Sequence, residues 1–116
     1  MGDGSVYDKA AALARLEGDH ELFDELATLF LEESPKELAA IRLALDRHDA
    51  AALAASAHKL KGSVTQFCAQ PLFESVKRLE GLARAGDLAA ALTCSAEVES
   101  GLTALQAALR SPGHGA

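Results

Sequence analysis

The sequence predicts an all-α fold, an antiparallel up-down-up-down four-helix bundle with a short additional N-terminal helix. Three observations carry this expectation. The 116 residues include 25 Ala and 19 Leu but nine Val, Ile and Thr together. Ala and Leu favour helices, whereas β-branched and aromatic residues favour strands. Apolar residues then recur at alternating spacings of four and three, the period of a helix that buries one face. Finally, Gly, Pro and Asp residues fall between these stripes and leave only short turns, which join antiparallel neighbours.

The elements follow in order. Residues 1–7 hold two Gly and little apolar content, so a flexible N-terminus is expected. A short helix is predicted over Asp8–Leu16, closed by Gly18. Asp19 is a good N-cap for a second helix, because its carboxylate can accept from the free N–H groups of the first turn. Leu22, Phe23, Leu26, Leu29 and Phe30 form its apolar stripe. Pro35 then removes a backbone donor and crowds the preceding turn. Ser34-Pro35-Lys36-Glu37 also reads as a capping box with Pro at the first helical position. The later stripe, Leu38, Ile41 and Leu45, is rotated away from the earlier one. A strong kink or a break is expected at Pro35.

Arg47-His48-Asp49 reads as a polar turn with Asp49 as the next cap. A third helix is predicted over Ala50–Phe67, with Leu53, Ala57, Leu60, Val64 and Phe67 inward. Pro71 opens a fourth, which carries Leu72, Val76, Leu79 and Ala83 inward and stops at Gly86. Asp87 caps a fifth, Leu88–Arg110, with Leu88, Leu92, Val98, Leu102, Leu105 and Leu109 inward. One bundle over 8–110 is thus expected, with 111–116 as a flexible C-terminal tail.

Composition excludes several classes of function. Net charge is −6 and the pI is about 5.1, which disfavours nucleic acid, whose phosphates call for a basic surface. No apolar run approaches the roughly 20 residues of a membrane span, so no membrane insertion is expected. Cys68 and Cys94 form no CxxC and no zinc spacing, and a reducing, cytoplasmic home is the simplest reading. Glu17-Gly18-Asp19-His20 fits E-x-x-H but contains Gly, spans a cap and has no second copy, so no metal site is expected. His20, His48 and His114 read as surface residues.

The outer face of the third helix is the informative part. His58 lies about 140° from the core stripe at 100° per residue, so it points to solvent. Its neighbours three and four residues away are Ala54, Ala55, Lys61 and Gly62, three small residues and one cation. Gly62 costs roughly 1 kcal/mol relative to Ala in a helix interior. An exposed Gly there either is simply tolerated or clears space for another protein's backbone beside His58. Lys61 is either a solvated lysine or the cation that neutralises a phosphoryl group carried on the imidazole.

Phe73, Lys77, Glu80 and Arg84 share a strip beside the core stripe of the fourth helix. Glu80 could accept from Nδ1–H of His58 and leave Nε2 free, or form an i,i+4 ion pair with Arg84. Across residues 58–84, Lys59, Lys61, Lys77, Arg78 and Arg84 face only Glu74 and Glu80. A local basic patch on an acidic chain suits an acidic protein partner.

Ala57-His58-Lys59-Leu60-Lys61-Gly62-Ser63 resembles the A-H-x-L-K-G-S core of histidine-containing phosphotransfer (HPt) domains. The resemblance extends over nearly the whole chain, through Phe30–Pro35, Leu79-Glu80 and Ala85-Gly86-Asp87. It implies that His58 accepts the phosphoryl group, Lys61 stabilises it, Gly62 gives access and Glu80 orients His58. Ala54, Ala55, Lys59, Lys77 and Arg84 would meet the partner. One departure is Cys68, where the family commonly has Gly, and this puts the helix boundary after Phe67 in question.

The implied function is a phosphorelay carrier, a monomer that takes a phosphoryl group from the aspartate of one response-regulator receiver domain and passes it to another. A hybrid sensor histidine kinase would stand upstream. No Gly-rich phosphate loop is present, so the chain is expected to lack an ATP site and autonomous catalysis. It would hold no cofactor of its own, with Mg²⁺ on the receiver. Two alternatives compete with it. A histidine-kinase dimerisation module would carry H-E-x-x-x-P, whereas Lys59 follows His58 here, and the phosphotransfer module of a chemotaxis kinase would be expected with further domains. A non-catalytic helical adaptor would have lost the His58-Lys61-Gly62 set.

Overall fold

The computed structural model describes residues 6–110. Those residues form α1 (Lys9–Arg15), α2 (His20–Asp46), α3 (Ala50–Thr65), α4 (Gln70–Arg84) and α5 (Leu88–Arg110), with no strand among them. Helices α2 to α5 pack in sequence, and α5 returns against α2 to close a four-helix bundle. The long dimension is 43 Å, close to the length of the 27-residue α2 at 1.5 Å per residue. No described helix is long and apolar enough to cross a membrane.

Aspartates start three of the four long helices. Asp19 accepts from the Leu22 N–H, Asp49 from Ala52 and Asp87 from Ala90, each at 3.0–3.1 Å. Gly86 ends α4 with φ +77°, a left-handed conformation that Gly adopts without a Cβ clash. Helix α1 lies over the far end of α3. The Asp8 N–H donates to the Cys68 carbonyl, and Arg15 donates to the Thr65 carbonyl at 2.8 Å. Tyr7 is buried and stacks on Phe23, and Phe67 meets both Phe23 and Phe30 edge-on. The loose segment expected over 1–7 therefore does not extend to Tyr7. Its residues 1–5, and the expected tail 111–116, lie outside the described residues.

Several local expectations are corrected. Of the kink or break expected at Pro35, the break does not occur, and helix α2 runs through the proline. Its buried face is Phe23, Ala27, Phe30, Ser34, Glu37, Ile41 and Ala44, an unbroken four-three stripe. Ser34 and Glu37 are thus inward residues rather than a capping box. Ser34 Oγ accepts from Gln106 of α5 at 2.9 Å, and Ser63 of α3 donates to Glu37 at 3.2 Å. These bonds let polar groups occupy core positions. Leu22 and Leu29, expected inward, are exposed instead.

On α5 the inward positions before Val98 belong to Ala91 and Cys94, and Leu92 is 63 % exposed. Helix α3 ends at Thr65, two residues early, because Cys68 takes φ +53°. That left-handed turn is the physical reason a Gly would suit position 68. Phe67 is still buried, from the turn rather than the helix.

Candidate functional site

The site forms where the outer edge of α3 meets α4. The stripe Leu53, Ala57, Leu60 and Val64 is completely buried. This fixes the rotation of α3 and leaves His58 pointing outward, its side chain 65 % exposed. On α4, burial of Leu72, Val76, Leu79 and Ala83 turns Glu80 toward α3, with its side chain 8 % exposed.

Three positively charged or protonatable groups converge on that carboxylate. His58 Nδ1 lies 3.0 Å from Glu80 Oε2. Arg84 donates to the same oxygen from Nε at 3.1 Å and from Nη2 at 2.6 Å. Lys61 Nζ lies 2.7 Å from the other oxygen, Oε1. The two readings of Glu80 left open by the sequence, histidine partner and ion pair, hold together in one cluster. Hydrogen bonds from Lys61, then Arg84, lower the Glu80 carboxyl to about 2; burial opposes them and the His58 bond adds to them. Glu80 is therefore ionised at neutral pH and acts only as an acceptor. Such an acceptor calls for a donor, so the contact suits a proton on Nδ1 and turns Nε2 away from Glu80.

The remaining predicted residues fall around this cluster. A Cβ added to Gly62 would meet nothing within 4 Å, so no internal packing requires Gly there. Lys59 and Lys77 are exposed, on α3 and α4. Ala55 is exposed, but Ala54 is 8 % exposed and belongs to the core, because it flanks the buried stripe of α3. Arg84 is exposed along its length yet tied to Glu80 at its tip, so it is not a freely presented docking cation. Sequence reasoning missed an open hollow beside the site, lined in part by Ala50, Ala51, Ala55, Arg84 and Gly86. The run of Ala at 50–55 facing Ala83–Gly86 was its signal. No group of three or more His, Cys, Asp or Glu side chains able to hold a metal occurs among the described residues.

Comparison with known proteins agrees with this fold. The family model of the Hpt domain matches residues 25–108. Among solved structures, the chain is similar to the crystal structure of histidine-containing phosphotransfer protein B (HptB) from Pseudomonas aeruginosa PAO1. The two are 26 % identical, the match covers 90 % of each chain, and the TM-score is 0.83. No curated protein sequence matches the chain. A bundle of this shape, with an outward histidine on its third helix, places the chain in the Hpt domain family, and it is a histidine phosphotransfer carrier of phosphorelay signalling.

Proposed function

We propose that Nε2 of His58 is the atom that carries the phosphoryl group. The observation that supports this is the hydrogen bond from Nδ1 to an ionised Glu80, with the opposite edge of the ring open to solvent. The Nε2 lone pair attacks phosphorus of a receiver aspartyl phosphate. The N–P bond forms as the P–O bond to the aspartate breaks, and the carboxylate leaves with that electron pair. The proton on Nδ1 stays on the ring, held at Glu80, so the positive charge gained by the imidazole faces a carboxylate. Attack by the aspartate of a second receiver reverses these steps.

The chain supplies the nucleophile and its positioning, while Mg²⁺ and the acidic groups that bind it belong to the receiver. Lys61 is one helical turn from His58 and lends positive charge to the phosphoryl oxygens. Gly62 leaves room for the receiver's backbone. Ala55, Lys59, Lys77 and the exposed flank of Arg84 form the docking surface, and a hybrid sensor histidine kinase feeds the relay. All four site groups come from one chain, which supports action as a monomer. The unpaired Cys68 and Cys94 support a reducing, cytoplasmic setting.

The test is incubation with a receiver phosphorylated on its aspartate. Wild-type protein acquires an acid-labile label. His58→Gln acquires none while its helicity and melting stay close to wild type, because the side chain is exposed. Label that persists in this variant rejects the assignment.

A further inference from the structure

A carboxylate 3.0 Å from an imidazole creates a difficulty for a nucleophile. Left alone, it draws a second proton onto the ring. The resulting imidazolium has no lone pair at Nε2 and cannot attack phosphorus. The arrangement around Glu80 removes that difficulty. Lys61 engages Oε1, and Arg84 engages Oε2, the oxygen that His58 also uses. With His58 neutral, Lys61, Arg84 and Glu80 already sum to one positive charge. Protonating His58 would add a second within the same few ångströms.

We infer that Lys61 and Arg84 are positioning residues acting through Glu80, whose charge they share so that it holds Nδ1–H without drawing a proton onto Nε2. This rests on His58 being the nucleophile. The carboxyl stays ionised down to about 2, so its own titration plays no part near neutral pH. The other charged groups around His58 act in the same direction or lie apart. Lys59 on α3 and Lys77 on α4 are cations. On α2, Glu33, Lys36 and Glu37 gather beside Ser56 and Lys59 on the other flank of α3. Arg84 thereby acquires a role beyond docking.

The test is a titration of the His58 ring by NMR, without receiver, in wild type, Arg84→Gln and Lys61→Met. Removing either cation should raise the midpoint by about half a unit to one unit, a size set by opposing charges partly screened by solvent. Glu80→Gln should lower it. Phosphoryl transfer by Arg84→Gln should fall at pH 6.5 and recover at pH 8.5, whereas a lost docking contact would cost the same at both. A midpoint unmoved or lowered in one variant overturns the role of that residue, and in both variants overturns the inference. A pH-independent transfer loss in Arg84→Gln also overturns the role of Arg84. The titration needs no phosphoryl donor. If the nucleophile reading fails, label appears on another residue whatever the midpoints do, so the two failures are distinguishable.

Discussion

At the scale of single residues, the site is one exposed base, one buried acid and one missing side chain. Gly62 tests the missing side chain. Its added Cβ meets nothing within the chain, so Gly62→Ala should stabilise the protein by up to about 1 kcal/mol through helix propensity. Gly62→Gln should keep that fold yet weaken receiver binding, measured by calorimetry; unchanged affinity would remove the access role. Glu80 tests the buried acid. Its carboxyl lies near 2 in the folded protein, well below the ordinary carboxylate range. The ionised form is the one the fold favours, so this stabilisation is complete above about 4.5 and is lost as pH falls from there toward 2. Glu37 has the opposite sign, because burial raises its carboxyl. Its contribution is full at low pH and is lost as pH rises through its raised value. Acid denaturation followed by circular dichroism should therefore be less steep below pH 4.5 in Glu80→Gln than in wild type. An identical acid limb would mean that Glu80 is not held ionised by its partners.

At the scale of elements, helix α2 is the informative case. A Pro in a helix interior removes one backbone bond and costs about 3 kcal/mol. Helix α2 nevertheless continues, because its buried face runs unbroken through Ser34 and Glu37 into Ile41 and Ala44. Pro35→Ala should then raise stability by about 1–3 kcal/mol in thermal or urea unfolding. A fall in stability would show that the packing around Pro35 requires the proline ring itself. This helix also shows what was legible in the sequence. The stripes of α3 and α4 were read directly, since their core positions are apolar at every step. In α2 the stripe was lost where two core positions are polar, and only their partners, Gln106 and Ser63, lie distant in sequence. Leu92 was read into the core stripe and Cys94 only as a partly buried residue, because hydrophobicity alone favours Leu while the rotation of α5 is set by Val98, Leu102 and Leu105. His58, Lys61 and Gly62 were legible because they lie on one helix. The His58–Glu80 and Glu80–Arg84 contacts were legible only as alternatives, and the Lys61–Glu80 contact not at all, because joining them depends on how α3 and α4 meet.

At the scale of the whole molecule, a chain of net charge −6 presents cations around His58. Exposed Lys59 and Lys77 should draw an acidic receiver, and such steering is screened over about 8–10 Å at ordinary ionic strength. Lys77→Ala should slow association at low salt, by an amount that shrinks at high salt and disappears at saturating receiver. Lys61→Ala should reduce transfer even at saturation, because Lys61 acts within the site; full rescue by more receiver would reduce it to a docking residue. The central claim is that Nε2 of His58 receives the phosphoryl group while Glu80 keeps the proton on Nδ1. The most direct measurement is phosphorus–nitrogen coupling in ¹⁵N-histidine-labelled protein after transfer from a receiver. The account predicts phosphorus bonded to Nε2 of His58, with Nδ1 still protonated. Phosphorus on Nδ1, or on His20 or His48, would contradict it.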